Sequence, residues 1–565
     1  VRRSVALAAV AIIAAGTCLS ACSSPEDKVP SIGYAIDNVI TTYNAGTTAG
    51  SVSAAPQVLS RVLPGFTYLG PEGVPLADTD IGTSSIVAGD ALTVAYTLSP
   101  ASVWSDGVPM GCEDLVLAWT ARSGKVRGAG GGPVFDAAST AGYADIDRID
   151  CATGSKDALV HFAPGRNYVD WRSLFGATAL MPAHIATAAA DVPDLPIAVA
   201  DNDTASLERV AQMWNTGWNL DPASFDPADF PSAGPYRIES YTAEDGLVLV
   251  PNEAWWGRAP ETERIVVWPK GTDVTAKVTS SDVEVVDSAA ATPSPSGFTD
   301  TVAPGWGIEQ LVFATTGVFQ NPAARRAFAS CVPRTQLFDG AGNPGYDSAA
   351  AGGRGTAVVD SRMTVPGSLV YPTVAATAAE RYRQPDTASA TTGFAQAGVP
   401  NPTIRIGYLG PDDTRREIVA AIASACTPAG VAVVDAGSDR FLPTDLSSGQ
   451  VDAVLVGTAG QAGATGSALA EADRFALRTG EATNFGRYSN GRIDAIVDQL
   501  AVDDSDATQA AIGTEAENIL WNDMPTLPLF NAPRKTSTAS GVENVMFNPT
   551  TAGTGWNMDR WVLLR

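Results

Sequence analysis

Histidine is nearly missing from this 565-residue chain: His161 and His184 are its two, which leaves no basis for multi-histidine metal sites or haem ligation. Basic side chains are scarce too, 36 against 61 acidic, for a formal charge of −25. That imbalance excludes nucleic acid and anionic membrane surfaces as main partners. Charged residues make up 17% of the chain, below the roughly one quarter usual for globular proteins. No apolar run is long enough to cross a bilayer, which takes roughly 20 residues. Catalytic signatures are absent as well: there is no G-x-S-x-G elbow, no phosphate-binding G-x-x-x-x-G-K-[ST], no H-E-x-x-H and no dinucleotide fingerprint. Asp78-Thr79-Asp80 and Asp201-Asn202-Asp203 do not continue into a calcium loop closed by a bidentate glutamate. The expectation is a binding protein with no catalytic residues, metal or cofactor.

What is present begins at the N-terminus. Arg2-Arg3, an apolar run from Val5 to about Thr17, and Leu19-Ser20-Ala21-Cys22 make a charged, apolar and small-residue series typical of an export signal. The last four residues resemble a bacterial lipobox. Residues 1–21 then read as a signal peptide, Cys22 as the lipid-attachment site and 22–30 as a tether. Two acyl chains on that cysteine suffice for stable anchoring, on the extracytoplasmic face of the cell membrane. Four cysteines remain in an oxidising space: Cys112, Cys151, Cys331 and Cys426. They allow three pairings. Neighbourhood in the chain favours Cys112 with Cys151 and Cys331 with Cys426, one staple in each half.

Period-2 segments such as Leu92–Leu98, 246–250 and 265–268 read as strands. Acidic residues ahead of an apolar run start a helix at Glu113-Asp114. Leu207, Val210 and Trp214 share a helical face behind Asp203 or Thr204, ending at Gly217. After Lys270 the texture changes: 288–305 and 342–402, rich in Ala, Gly, Ser, Thr and Pro, read as irregular. A strand at 311–315, a helix at 322–331 and a β-α-β unit over 403–434 continued by 451–456 define a second α/β lobe.

Several motifs then occur in a fixed order. Val103-Trp104-Ser105-Asp106-Gly107-Val108-Pro109 precedes Glu113-Asp114-Leu115-Val116; Met181-Pro182-Ala183-His184-Ile185 follows. Next come Ser232-Ala233-Gly234-Pro235-Tyr236 with Asn252 and Trp255-Trp256-Gly257, then Asn321–Phe328 with Arg334. Phe485–Asn490 and Pro525–Phe530 complete the series. Each alone reads as a turn or a core anchor. In order they resemble the extracellular solute-binding proteins of family 5, the peptide- and nickel-binding proteins of ABC transporters. Gly33-Tyr34 and the four cysteines are most similar to the mycobacterial LpqW type, which is associated with phosphatidylinositol mannoside and lipoarabinomannan biosynthesis.

The resemblance implies an α/β, two-lobed periplasmic-binding-protein type II (cluster C) fold with a ligand cleft between the lobes. Lobe I would be residues 31–268 with 529–565 returning to it, and lobe II 269–528. The implied partners are a peptide-like or glycolipid ligand and an ABC permease, with the chain acting as a monomer. One departure matters. Family peptide binders follow a strand with a Gly-Trp…Asp stretch whose acid pairs with a peptide ammonium, whereas Val451–Val456 runs into Gly457-Thr458-Ala459-Gly460-Gln461-Ala462-Gly463. A buried ammonium without a partner costs several kcal/mol, so this neutral loop suits an uncharged or polyhydroxylated ligand. The residues expected at the ligand are Tyr34, Asn44, Trp214, Trp218, Thr458 and Gln461.

Overall fold

The computed structural model describes residues 30–71, 73–343, 357–366, 368–378, 380–458 and 471–564. The signal peptide, Cys22, nearly all of the tether and Gln461 lie outside the described residues.

A ten-stranded mixed sheet runs through the molecule. From one edge its strands are Ala432–Asp435, Thr403–Gly407, Ala453–Gly457, Phe298–Phe313, Thr526–Ala539, Val285–Ala289, Ile32–Ile36, Ile265–Trp268, Gly246–Pro251 and Tyr236–Thr242. Two long antiparallel strands, Phe298–Phe313 and Thr526–Ala539, belong to both halves. Their ladder is irregular between Pro304 and Ile308, and Pro304 stands opposite Pro533. Proline has no N–H to give the ladder, so the sheet is weakest where the chain passes from one lobe to the other. Gly305 is required there, because a Cβ at this position would come within 2.8 Å of the Ala532 carbonyl oxygen.

Stretches read from the sequence as irregular are ordered. Residues 298–305 extend the first crossing strand, and Thr387–Gln396 is a helix capped by the Asp386 carboxylate, which accepts from Ser389 N. Proline was the misleading signal in the first case, since the residue sits at the register shift rather than ending the strand. Val285–Ala289, beyond the boundary expected at 268/269, pairs with Ile32–Ile36 in parallel (Tyr34↔Val285).

A four-stranded antiparallel sheet, ordered Gly82–Val87, Thr93–Leu98, Asp157–Phe162 and Ile146–Asp150, adds a layer to lobe I. The lobe I core holds Tyr34, Trp104, Trp214, Trp218 and Trp561. That of lobe II gathers Phe313, Phe319, Phe328, Ile406, Ile422 and Trp521. Each has a disulfide. Cys112–Cys151 (Cα–Cα 5.7 Å) pins the helix Cys112–Arg122 to the end of the four-stranded sheet. Cys331–Cys426 (5.0 Å) joins the helices Pro322–Cys331 and Asp413–Cys426. These thiols are thereby unavailable as metal ligands. Among the described residues no helix is long and apolar enough to cross a membrane.

Candidate ligand cleft

Between the lobes lies a cavity of about 610 Å³. Asp37, Gln57, Tyr68 and Trp556 come to it from lobe I, Arg415, Phe441 and Thr458 from lobe II, and Arg534 from the crossing strand.

Most of its charges are matched in pairs. Arg534 sends Nη1 and Nη2 to the Asp37 carboxylate at 2.7 and 2.9 Å, and Nη2 also to Asp287 at 2.8 Å. Asp287 further accepts from Gln57 Nε2 (2.9 Å) and Thr554 N (2.9 Å). Burial alone would raise the Asp37 carboxyl, but the Arg534 guanidinium outweighs it and holds the group below its usual range. On the opposite side Arg415 Nε meets Glu309 at 2.9 Å. Lys270, just past the lobe I strand Ile265–Trp268, meets Asp412 at 3.0 Å; Asp412 caps the lobe II helix Asp413–Cys426.

That ion pair is one of several contacts across the cleft. Glu481, 5% exposed, accepts from Thr140 N at 3.0 Å and from Thr140 Oγ1 at 2.5 Å. Arg166, held by Asp145 at 2.7 Å, donates to the Asp498 carbonyl at 2.8 Å, and Val169 N to the Ala501 carbonyl at 3.0 Å. Asp498 lies on the helix Gly491–Leu500, whose buried Ile493, Ile496, Val497 and Leu500 join the core that holds Tyr34 and Trp104, while the helix also packs against Asp506–Asp523.

Of the residues expected at the ligand, Thr458 lines the cavity, and its Oγ1 accepts from Ile308 N at 3.0 Å. Tyr34, Asn44, Trp214 and Trp218 do not line it. All four are at most 2% exposed. Tyr34 packs edge-on against Trp561 and its hydroxyl accepts from Gln57; Asn44 donates to the Trp214 carbonyl and accepts from Gly46 N. Large aromatics gain most by full burial, and these serve the core. Asp37, Gln57, Glu309, Arg415 and Arg534 also line the cavity and were not expected there. For the four charged ones the available signal was charge in a chain so poor in it, with Arg534 directly after the crossing proline; Gln57 carries no such signal.

The profile of the bacterial extracellular solute-binding proteins, family 5, matches residues 80–472. The chain belongs to that family, whose members bind solutes and are not enzymes. It is 39% identical to the uncharacterized lipoprotein Rv2585c of Mycobacterium tuberculosis over 98% of this chain and 97% of the relative. A shorter similarity, 26% over 31% of this chain and 21% of the relative, links it to the probable monoacyl phosphatidylinositol tetramannoside-binding protein LpqW of the same species. Among solved structures, the periplasmic EDTA-binding protein EppA superposes with a TM-score of 0.74 at 19% identity, covering 95% of this chain and 97% of that one. Haemophilus influenzae OppA in complex with RPPGFSPFR gives 0.70 at 14%, covering 95% and 100%. The fold is that of the two-lobed type II binding proteins.

Proposed function

We propose that this chain is a lipid-anchored, extracytoplasmic solute-binding protein that closes its lobes over a peptide-like or other polar solute and delivers it to an ABC permease. The carrying observation is the cavity between the lobes, lined by residues of both. A ligand that touches both walls favours the closed arrangement, since a ligand shifts an equilibrium only by its differential contacts. The lipobox-like Leu19–Cys22 and the lipoprotein naming of the relative support the anchor.

A second reading has its own observation. Asp37, Glu309 and Asp412 are each bonded to a cation of the chain, so none of them waits for a peptide ammonium. Such a cleft suits a polar ligand without that group, and with the LpqW similarity it supports a binding or regulatory role in cell-envelope glycolipid assembly. Cross-linking in intact membranes followed by peptide mapping separates the two. Cross-links to permease subunits support transport; cross-links confined to glycolipid-assembly proteins support the second reading and refute the first.

A further inference from the structure

We infer that Arg122 is the anion anchor of the cleft, and that the ligand presents a carboxylate or a phosphate to it. Arg122 stands in the last turn of the lobe I helix Cys112–Arg122 and lines the cavity. Its guanidinium lies over the Tyr143 ring, 5.0 Å from the centroid. The Tyr143 hydroxyl is already engaged by Phe175 N at 2.9 Å, so Tyr143 meets the guanidinium with its ring face and gives the N–H edge no acceptor.

No carboxylate or carbonyl among the described residues takes that edge, and Arg122 Nε is buried without an acceptor. The other cations on the lining are committed: Lys270 to Asp412, Arg362 to Glu517, Arg415 to Glu309 and Arg534 to Asp37. The end of its own helix offers partial negative charge, but no acceptor reaches the guanidinium. An uncompensated cation beside a closing cleft is costly, the more conspicuous in a chain of net charge −25. A guanidinium edge matches the paired oxygens of a carboxylate or phosphate.

The same cavity is lined by three hydroxyls, Thr41 Oγ1, Ser60 Oγ and Thr483 Oγ1, that are buried without a partner. They suit a hydrogen-bonding, uncharged body attached to the anionic group. The inference rests on the cleft being the binding site and deepens that reading by naming the charge of the ligand.

The test is native mass spectrometry of the full chain, purified in mild detergent from its own membranes, as wild type, Arg122→Gln and Arg122→Lys. Circular dichroism and melting confirm that each variant folds. The expected result is an anionic molecule retained by the wild type, at least tenfold less by Arg122→Gln and to an intermediate degree by Arg122→Lys, with fragmentation telling phosphate from carboxylate. A neutral or cationic retained molecule, or an anionic one held equally by Arg122→Gln, overturns the assignment and leaves the binding cleft standing. A cleft that is empty in the wild type counts against the cleft reading itself, and this inference falls with it.

Discussion

Replacing Glu481 by alanine should open the molecule without unfolding it. The Glu481 carboxylate is buried and accepts two hydrogen bonds from Thr140 across the cleft. A buried donor left without its acceptor costs about 1–3 kcal/mol. When the lobes part, both Thr140 donors reach water, so the penalty falls on the closed arrangement alone. Allowing for partial rescue by water, about 2 kcal/mol moves the closed-to-open ratio about thirtyfold. Spin labels at exposed Ser85 and Ser448, one in each lobe, would report this as a gain in the long-distance population by double electron–electron resonance. Burial, opposed by the Thr140 hydrogen bonds, raises the Glu481 carboxyl above its ordinary value. The group therefore holds its proton more readily in the closed form. Its contribution to closure is complete below the ordinary glutamate range and declines as pH rises through the raised value, so the open population should grow from about pH 4 toward neutrality. A variant with an unchanged distance distribution but a lower urea midpoint would refute the reasoning, because the contact would then lie within one rigid body.

Four further outcomes follow from the same structure. Arg534→Met should strand Asp37 and Asp287 and lower stability by about 3 kcal/mol, less than a fully buried pair because Arg534 and Asp37 are each about one-third exposed; urea unfolding with no change in midpoint would contradict the pairing. Asp114 is buried, and burial lifts its carboxyl to about 7 despite hydrogen bonds from Ala183 N and Gly111 N. Its stabilising contribution is complete below the ordinary aspartate range near 4 and is lost as pH rises through about 7, so unfolding free energy should fall between about pH 4 and about pH 7, and Asp114→Asn should flatten that slope. Opening Cys331–Cys426 (separation 95) or Cys112–Cys151 (separation 39) by paired alanine substitution should cost about 5 and about 4 kcal/mol by chain entropy; equal midpoints with and without reductant would contradict both bridges. Cys22→Ala should move the protein from the membrane to the soluble fraction, and unchanged sedimentation with membranes would refute the anchor.

Local periodicity made much of the fold legible. The helix Pro322–Cys331 coincides with the stretch read from the sequence, and Thr403–Gly407, Asp413–Cys426 and Ala432–Asp435 lie within a residue of the expected β-α-β unit. These segments carry their own apolar spacing and caps, so sequence neighbours determine them. Of the crossing strand Phe298–Phe313 the end from residue 311 was legible and the rest was not, because its order comes from Thr526–Ala539, more than 200 residues away. The cleft was harder for the same reason: Arg534 and Asp37 are 497 residues apart, and no local pattern announces such a pair. Aromatic residues offered a tempting substitute, but Trp214 and Trp218 are filled into the core by their size. Arg122 could have been singled out only by learning which cations lack partners, a property of the packed molecule.

The most direct measurement compares small-angle scattering of the protein as purified with its occupant retained against the same protein stripped by reversible guanidinium unfolding and refolded. A larger radius of gyration for the stripped form, recovering on re-exposure to the eluted material, is what a clamp hinged at Pro304 and Pro533 should give. Superimposable curves for the two forms, with an occupant demonstrably present in one, would contradict it.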